Sequence, residues 1–79
     1  MHEIGVAKEV LSICLEKALG RQVKSITVEL GNDGHTTPQS LTHAFEMVAK
    51  GTIAENARMK VLQGTELESR VVELEVESS

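Results

Sequence analysis

The sequence predicts a two-layer α+β domain: a small three-stranded mixed sheet with two helices on one face, in the order α-β-α-β-β. Three observations predict it. The opening segment repeats apolar residues in steps of three and four, the period of a helix. Two later stretches, around Ile26 and Leu74, repeat them in steps of two, the period of a half-buried strand. Between them a proline-led helical stripe and a weaker alternating stretch complete the set, and helices packed on one side of a sheet bury both kinds of apolar face.

The first helix runs from Glu3 to about Leu19, with Ile4, Ala7, Leu11, Cys14 and Ala18 in one stripe. Val10 and Ile13 widen that stripe, so the helix is expected to be covered on more than one side. Gly20 is placed to end it in a left-handed conformation. Ile26, Val28 and Leu30 then alternate with Ser25, Thr27 and Glu29 as the first strand. Gly31-Asn32-Asp33-Gly34 breaks the chain, and Thr37-Pro38 reads as an N-cap followed by proline in the first helical position. The second helix carries Leu41, Ala44, Phe45, Val48 and Ala49 on one face and stops at Gly51.

Ala57, Met59 and Val61 alternate with Arg58, Lys60 and Leu62 as a weaker second strand, and Gln63-Gly64-Thr65 makes a turn. The last strand sets Val72, Leu74 and Val76 against Glu73, Glu75 and Glu77. A right-handed β-α-β crossover would place the first two strands parallel, and the last strand is expected to join by a hairpin. In that arrangement Arg58 and Lys60 face the glutamates across neighbouring strands, each pair worth about 0.2–1 kcal/mol on a solvated face.

Composition narrows the function. The 79 residues make one domain, 1–79, whose core must be aliphatic because Phe45 is the only aromatic. A net charge of −4 recommends neither nucleic acid nor an anionic membrane as partner. No apolar run approaches the ~20 residues that span a bilayer, and no basic leader precedes the first helix; a cytoplasmic domain is expected. The single cysteine, Cys14, excludes an internal disulfide and a multi-cysteine zinc site, and its place on the apolar stripe makes it a small buried hydrophobe. No nucleophile–base arrangement, phosphate loop or close acid pair supports an enzyme.

The remaining candidate chemistry lies at Met1-His2-Glu3. The Met1 amine, the His2 amide nitrogen and the His2 imidazole form consecutive chelate rings, and the Glu3 amide nitrogen or an outside donor completes a plane. Nitrogen-rich tetragonal sites select Ni(II) or Cu(II), and raw affinity favours copper. The amine and imidazole have reference pKa values of about 7.7–8.0 and about 6.5, so both are largely available near neutrality. Retention of Met1 is required and expected, because His2 is too large for removal of the initiator residue. His35 lies in the glycine-rich loop and is expected to be exposed; His43, one residue from the core stripe of the second helix, is expected to be a partly buried, hydrogen-bonded imidazole and not a ligand; Met47 and Met59 read as packing.

Together these stretches resemble the hydrogenase nickel-incorporation (HypA/HybF) family. The likeness rests on Met1-His2-Glu3-Ile4, on Val23 through Gly31, on Pro38 through Glu46, on the specific stretch Ala49-Lys50-Gly51-Thr52-Ile53-Ala54-Glu55-Asn56-Ala57, and on Glu66-Leu67 with Val72 through Glu77. The resemblance implies a nickel metallochaperone without a reaction of its own. It would serve the large subunit of [NiFe]-hydrogenase, sometimes urease, together with a nickel-handling GTPase. It also implies that Met1, His2 and Glu3 hold the nickel, with His2 supplying the side chain. The family normally carries a zinc module with two Cys-x-x-Cys pairs between the second and third strands. Here that module is absent between about positions 62 and 66, so Ni(II) is expected and zinc is not. Asn32-Asp33-Gly34-His35 and His43 also depart from the family pattern. The alternative is a zinc-less paralogue acting as a protein-interaction scaffold without nickel delivery. A mainly monomeric state is expected, with a domain-swapped dimer at high concentration because the connection to the last strand is short.

Overall fold

The computed structural model describes residues 2–32 and 34–78, with His2 described by its backbone alone. Two helices, α1 (His2–Ala18) and α2 (Pro38–Val48), and three strands, β1 (Val23–Leu30), β2 (Arg58–Gln63) and β3 (Arg70–Val76), follow in the expected order. The sheet has the order β2-β1-β3, with β1 parallel to β2 and antiparallel to β3.

Placing β1 in the centre follows from its burial pattern. Ile26, Val28 and Leu30 are fully buried, and even its opposite face, Ser25, Thr27 and Glu29, is half-covered by neighbours on both sides. The flanking strands are wetter, as edge strands are. On the buried face the register aligns Met59, Ile26 and Leu74 in one row and Val61, Val28 and Val71 in the next. Ala7, Val10, Cys14 and Ala18 of α1 and Leu41, Ala44 and Phe45 of α2 close the core over these rows, together with Ala49 and Ala54 beyond α2.

The helix boundaries have local causes. Leu19 (φ 53°) and Gly20 (φ 84°) both turn left-handed after α1; glycine does so freely, and Leu19 does so at the surface, 86% exposed. Ile13, expected to widen the covered stripe, is 38% exposed, so α1 is covered along the Ala7–Val10–Cys14 line. At α2, the Thr37 hydroxyl accepts from the Ser40 amide and the Ser40 hydroxyl oxygen accepts from the Thr37 amide, a reciprocal cap with Pro38 in the first turn.

Two expectations about β3 are corrected. It does not form a hairpin with β2: the connection passes over the end of β1 and sets β3 on the far side. Asn32 N–H donates to the Glu66 carbonyl (2.7 Å), Gly31 N–H to Ser69 Oγ (2.7 Å) and Gly64 N–H to the Leu30 carbonyl (2.9 Å), which fasten this connection to the chain leaving β1. With β1 between them, Arg58 and Lys60 do not pair with the β3 glutamates. Arg70 Nε on Glu29 Oε1 at 3.1 Å is the ion pair found among the described residues, and it is surface-exposed. The second correction is the inward set. A register shift between Thr27 and Val28 leaves Val72 as an extra residue, so Val71 packs on the core while Val72 is 44% exposed.

Candidate metal centre

α1 sets the geometry of the amino-terminal site. It begins at His2, so the amides of His2 and Glu3 fall in the first turn, where backbone N–H groups have no intrahelical acceptor. These nitrogens are therefore available to another partner without loss of a helical hydrogen bond. Glu3 is half-buried in that first turn, at the positive end of the helix dipole. Met1 and the His2 imidazole lie outside what the structure describes, so two of the three expected donor residues are placed by sequence alone.

No cluster of three or more His, Cys, Asp or Glu side chains suited to a metal occurs among the described residues. His35 is exposed, as expected, and engaged in the loop before α2; His43, expected to be partly buried, is exposed on α2. Cys14 is fully enclosed by the core, and burial pushes its thiol up to about 11 because the thiolate would lose its hydration. Enclosed and protonated, it packs as a small hydrophobe. No described helix is long and apolar enough to cross a membrane.

The structure also shows a feature that the sequence pattern did not indicate. A groove of about 430 Å³ runs between α2 and the outer edge of β2, with Met59 and Val61 along its strand side and Pro38, Thr42, His43 and Glu46 along its helix side. Its existence depends on β2 being an edge strand, which follows from strand order and not from the alternation of residues 57–62.

Comparison with known proteins gives these features a context. Residues 1–76 match the family model described as "Hydrogenase/urease nickel incorporation, metallochaperone, hypA". A hydrogenase maturation factor HypA of Geotalea daltonii is 38% identical over 61 residues, covering 77% of this chain and 56% of that protein. The HypA of Methanosarcina acetivorans is 38% identical over 64 residues, covering 77% of this chain and 48% of its own length. The chain thus spans about half the length of these curated relatives. In three dimensions it resembles the solution structure of the nickel metallochaperone HypA from Helicobacter pylori, with a TM-score of 0.79 at 13% identity over 98% of both chains, a likeness of fold. The match over residues 1–76 places this chain in the hydrogenase/urease nickel-incorporation metallochaperone (HypA) family.

Proposed function

We propose that this chain, as a single domain over 1–79, binds Ni(II) as cargo at its amino terminus and acts as the nickel-carrying domain of a metallochaperone. The observation that carries the reading is the family match, which begins at residue 1 and so includes Met1-His2-Glu3. The Met1 amine, the His2 amide and the His2 imidazole are the proposed donors, with the Glu3 amide or an outside group completing the set. One feature of α1 supports it: as first-turn groups, the amides of His2 and Glu3 have no helical acceptor to give up. Recipients would be the hydrogenase large subunit or urease, reached with a nickel-handling GTPase.

The test is a titration of tag-free protein with Ni(II), followed by d–d absorption and stoichiometry. The parent is expected to bind one equivalent, His2→Ala to lose at least about tenfold in affinity, and one residue added before Met1 to do the same. Binding should weaken as pH falls below about 6.5, because protons then compete for the imidazole and amine. Equal binding by His2→Ala and parent would overturn the assignment. A chain that captures a hydrogenase large subunit equally well with and without His2, and never promotes nickel insertion, would instead be an interaction scaffold.

A further inference from the structure

We propose that the outer edge of β2 and the groove beside it form a docking site for an extended segment of a partner protein in which apolar and acidic residues alternate, added to the sheet as a fourth strand.

Three observations converge on this occupant. First, β2 is an edge strand, so every second residue presents its N–H and C=O away from β1, ready for another strand. Second, the surface beyond that edge on the helix side is a shallow, open depression, apolar along the strand at Met59 and Val61 and polar along the helix at Thr42, His43 and Glu46. The groove of about 430 Å³ between α2 and β2 lies where an added strand would direct every other side chain, beside the half-buried Met59 and Val61. Third, the opposite face of the same strand is basic. Arg58 and Lys60 stand exposed on the open sheet face, aligned with Ser25 and Thr27 of β1, and neither makes an ion pair among the described residues. An added strand would place its other set of side chains beside these two cations. The edge thus asks for apolar residues on one face and carboxylates on the other.

The same charges select against the simplest self-association. Two copies pairing through β2 would set Arg58 and Lys60 against their own kind, which is destabilising across strands. The β3 strand, with its run Val-Val-Glu-Leu-Glu-Val, has the right alternation. A β3-to-β2 contact between copies, however, is head-to-tail and builds a ring or an open array, not a two-fold dimer. A separate partner segment satisfies the edge without either difficulty. The site is remote from the titration proposed for Met1 and His2 in its readout, so the two proposals stand or fall separately.

The experiment is a nuclear magnetic resonance titration of the intact isotopically labelled chain with a capped peptide of roughly seven residues alternating valine and glutamate. Controls are a peptide of the same composition in blocked order and a valine–lysine alternating peptide. Shift changes confined to residues 58–63 and 38–46 are expected for the valine–glutamate peptide, with slowed exchange of β2 amides. The double variant R58E/K60E should bind it at least about fivefold more weakly and should now take the lysine peptide, since the charge pairing is reversed. Both substituted positions are exposed, and an unchanged spectrum elsewhere verifies the fold. Equal binding of the blocked peptide, shifts centred on β3 or the open face, or no binding up to about 1 mM would overturn the proposal. Concentration-dependent shifts at β2 without peptide would overturn it in favour of a second copy of this chain.

Discussion

Single residues in this chain matter chiefly where the backbone or the core leaves no room for exchange. Gly31 is one such place: a Cβ built there would meet the Leu67 carbonyl oxygen, the Glu68 carbonyl carbon at 2.7 Å and the Ser69 nitrogen at 2.8 Å, all backbone atoms that cannot swing aside. Gly31→Ala is therefore expected to lose about 1–3 kcal/mol in urea unfolding. Gly5→Ala is its control. Gly5 lies inside α1 with nothing within 4 Å of a new Cβ, so alanine should stabilise by about 0.5–1 kcal/mol through helix propensity. Equal effects at the two glycines would refute the close-approach explanation. Cys14 makes a different prediction. Its folded-state pKa of about 11 lies above the 9.0 of an unburied thiol, so between these values the folded chain holds a proton that the unfolded chain releases. This group's contribution is intact below about 9 and lost as pH rises towards about 11. Unfolding midpoints of parent and Cys14→Ala should consequently converge, or cross, as pH climbs through that window. A pH-independent difference between the two would contradict the burial argument.

Elements were legible in the sequence wherever one local rule decided them. α2 is the clearest: Thr37 and Pro38 announce its start, and Leu41, Ala44 and Phe45 its buried face, all as found. β1 was equally legible, because Ile26, Val28 and Leu30 keep strict alternation to the end of the strand. β3 misled because strict alternation selected Val72, while the structure inserts an extra residue and turns Val71 inward. A bulge leaves little mark in a run of two adjacent valines, since either parity can be read from it. The proposed metal site rests on spacing and resemblance alone, and the groove at β2 was not legible, because strand order is a tertiary outcome. The bulge can be tested directly. Val71→Thr places a hydroxyl on the core side and should cost about 1–2 kcal/mol, whereas Val72→Thr should stay within about 0.5 kcal/mol of the parent. Thermal denaturation of both variants decides it; the reverse order would restore Val72 to the inside.

At the scale of the whole molecule, the central question is how β3 reaches its place. β2 and β3 flank β1, so their backbones lie roughly 10 Å apart at the sheet spacing, and the connection of residues 64–69 must climb over the chain leaving β1. In the structure it does so with three backbone N–H groups satisfied along the way, at Gly31, Asn32 and Gly64. That fastening favours closure within one chain. Yet β3 brings Val71, Leu74 and Val76 to the core as one detachable strand, and the β3 of a second copy would supply identical contacts. The balance between monomer and exchanged dimer therefore rests on the hinge, not on the core. We expect the parent to be monomeric, with exchange emerging only at high concentration. Deleting Glu66 and Leu67 removes the acceptor of the Asn32 N–H and a leucine that is 79% exposed, so it strains the hinge while sparing the packing. The deletion variant should form a dimer whose spectrum retains the native core signals, and the dimer fraction should rise with concentration. Light scattering over about a hundredfold range of concentration makes the measurement. A deletion variant that stays monomeric throughout would show that the connection has slack to spare, and that the three hydrogen bonds are not what keeps β3 at home.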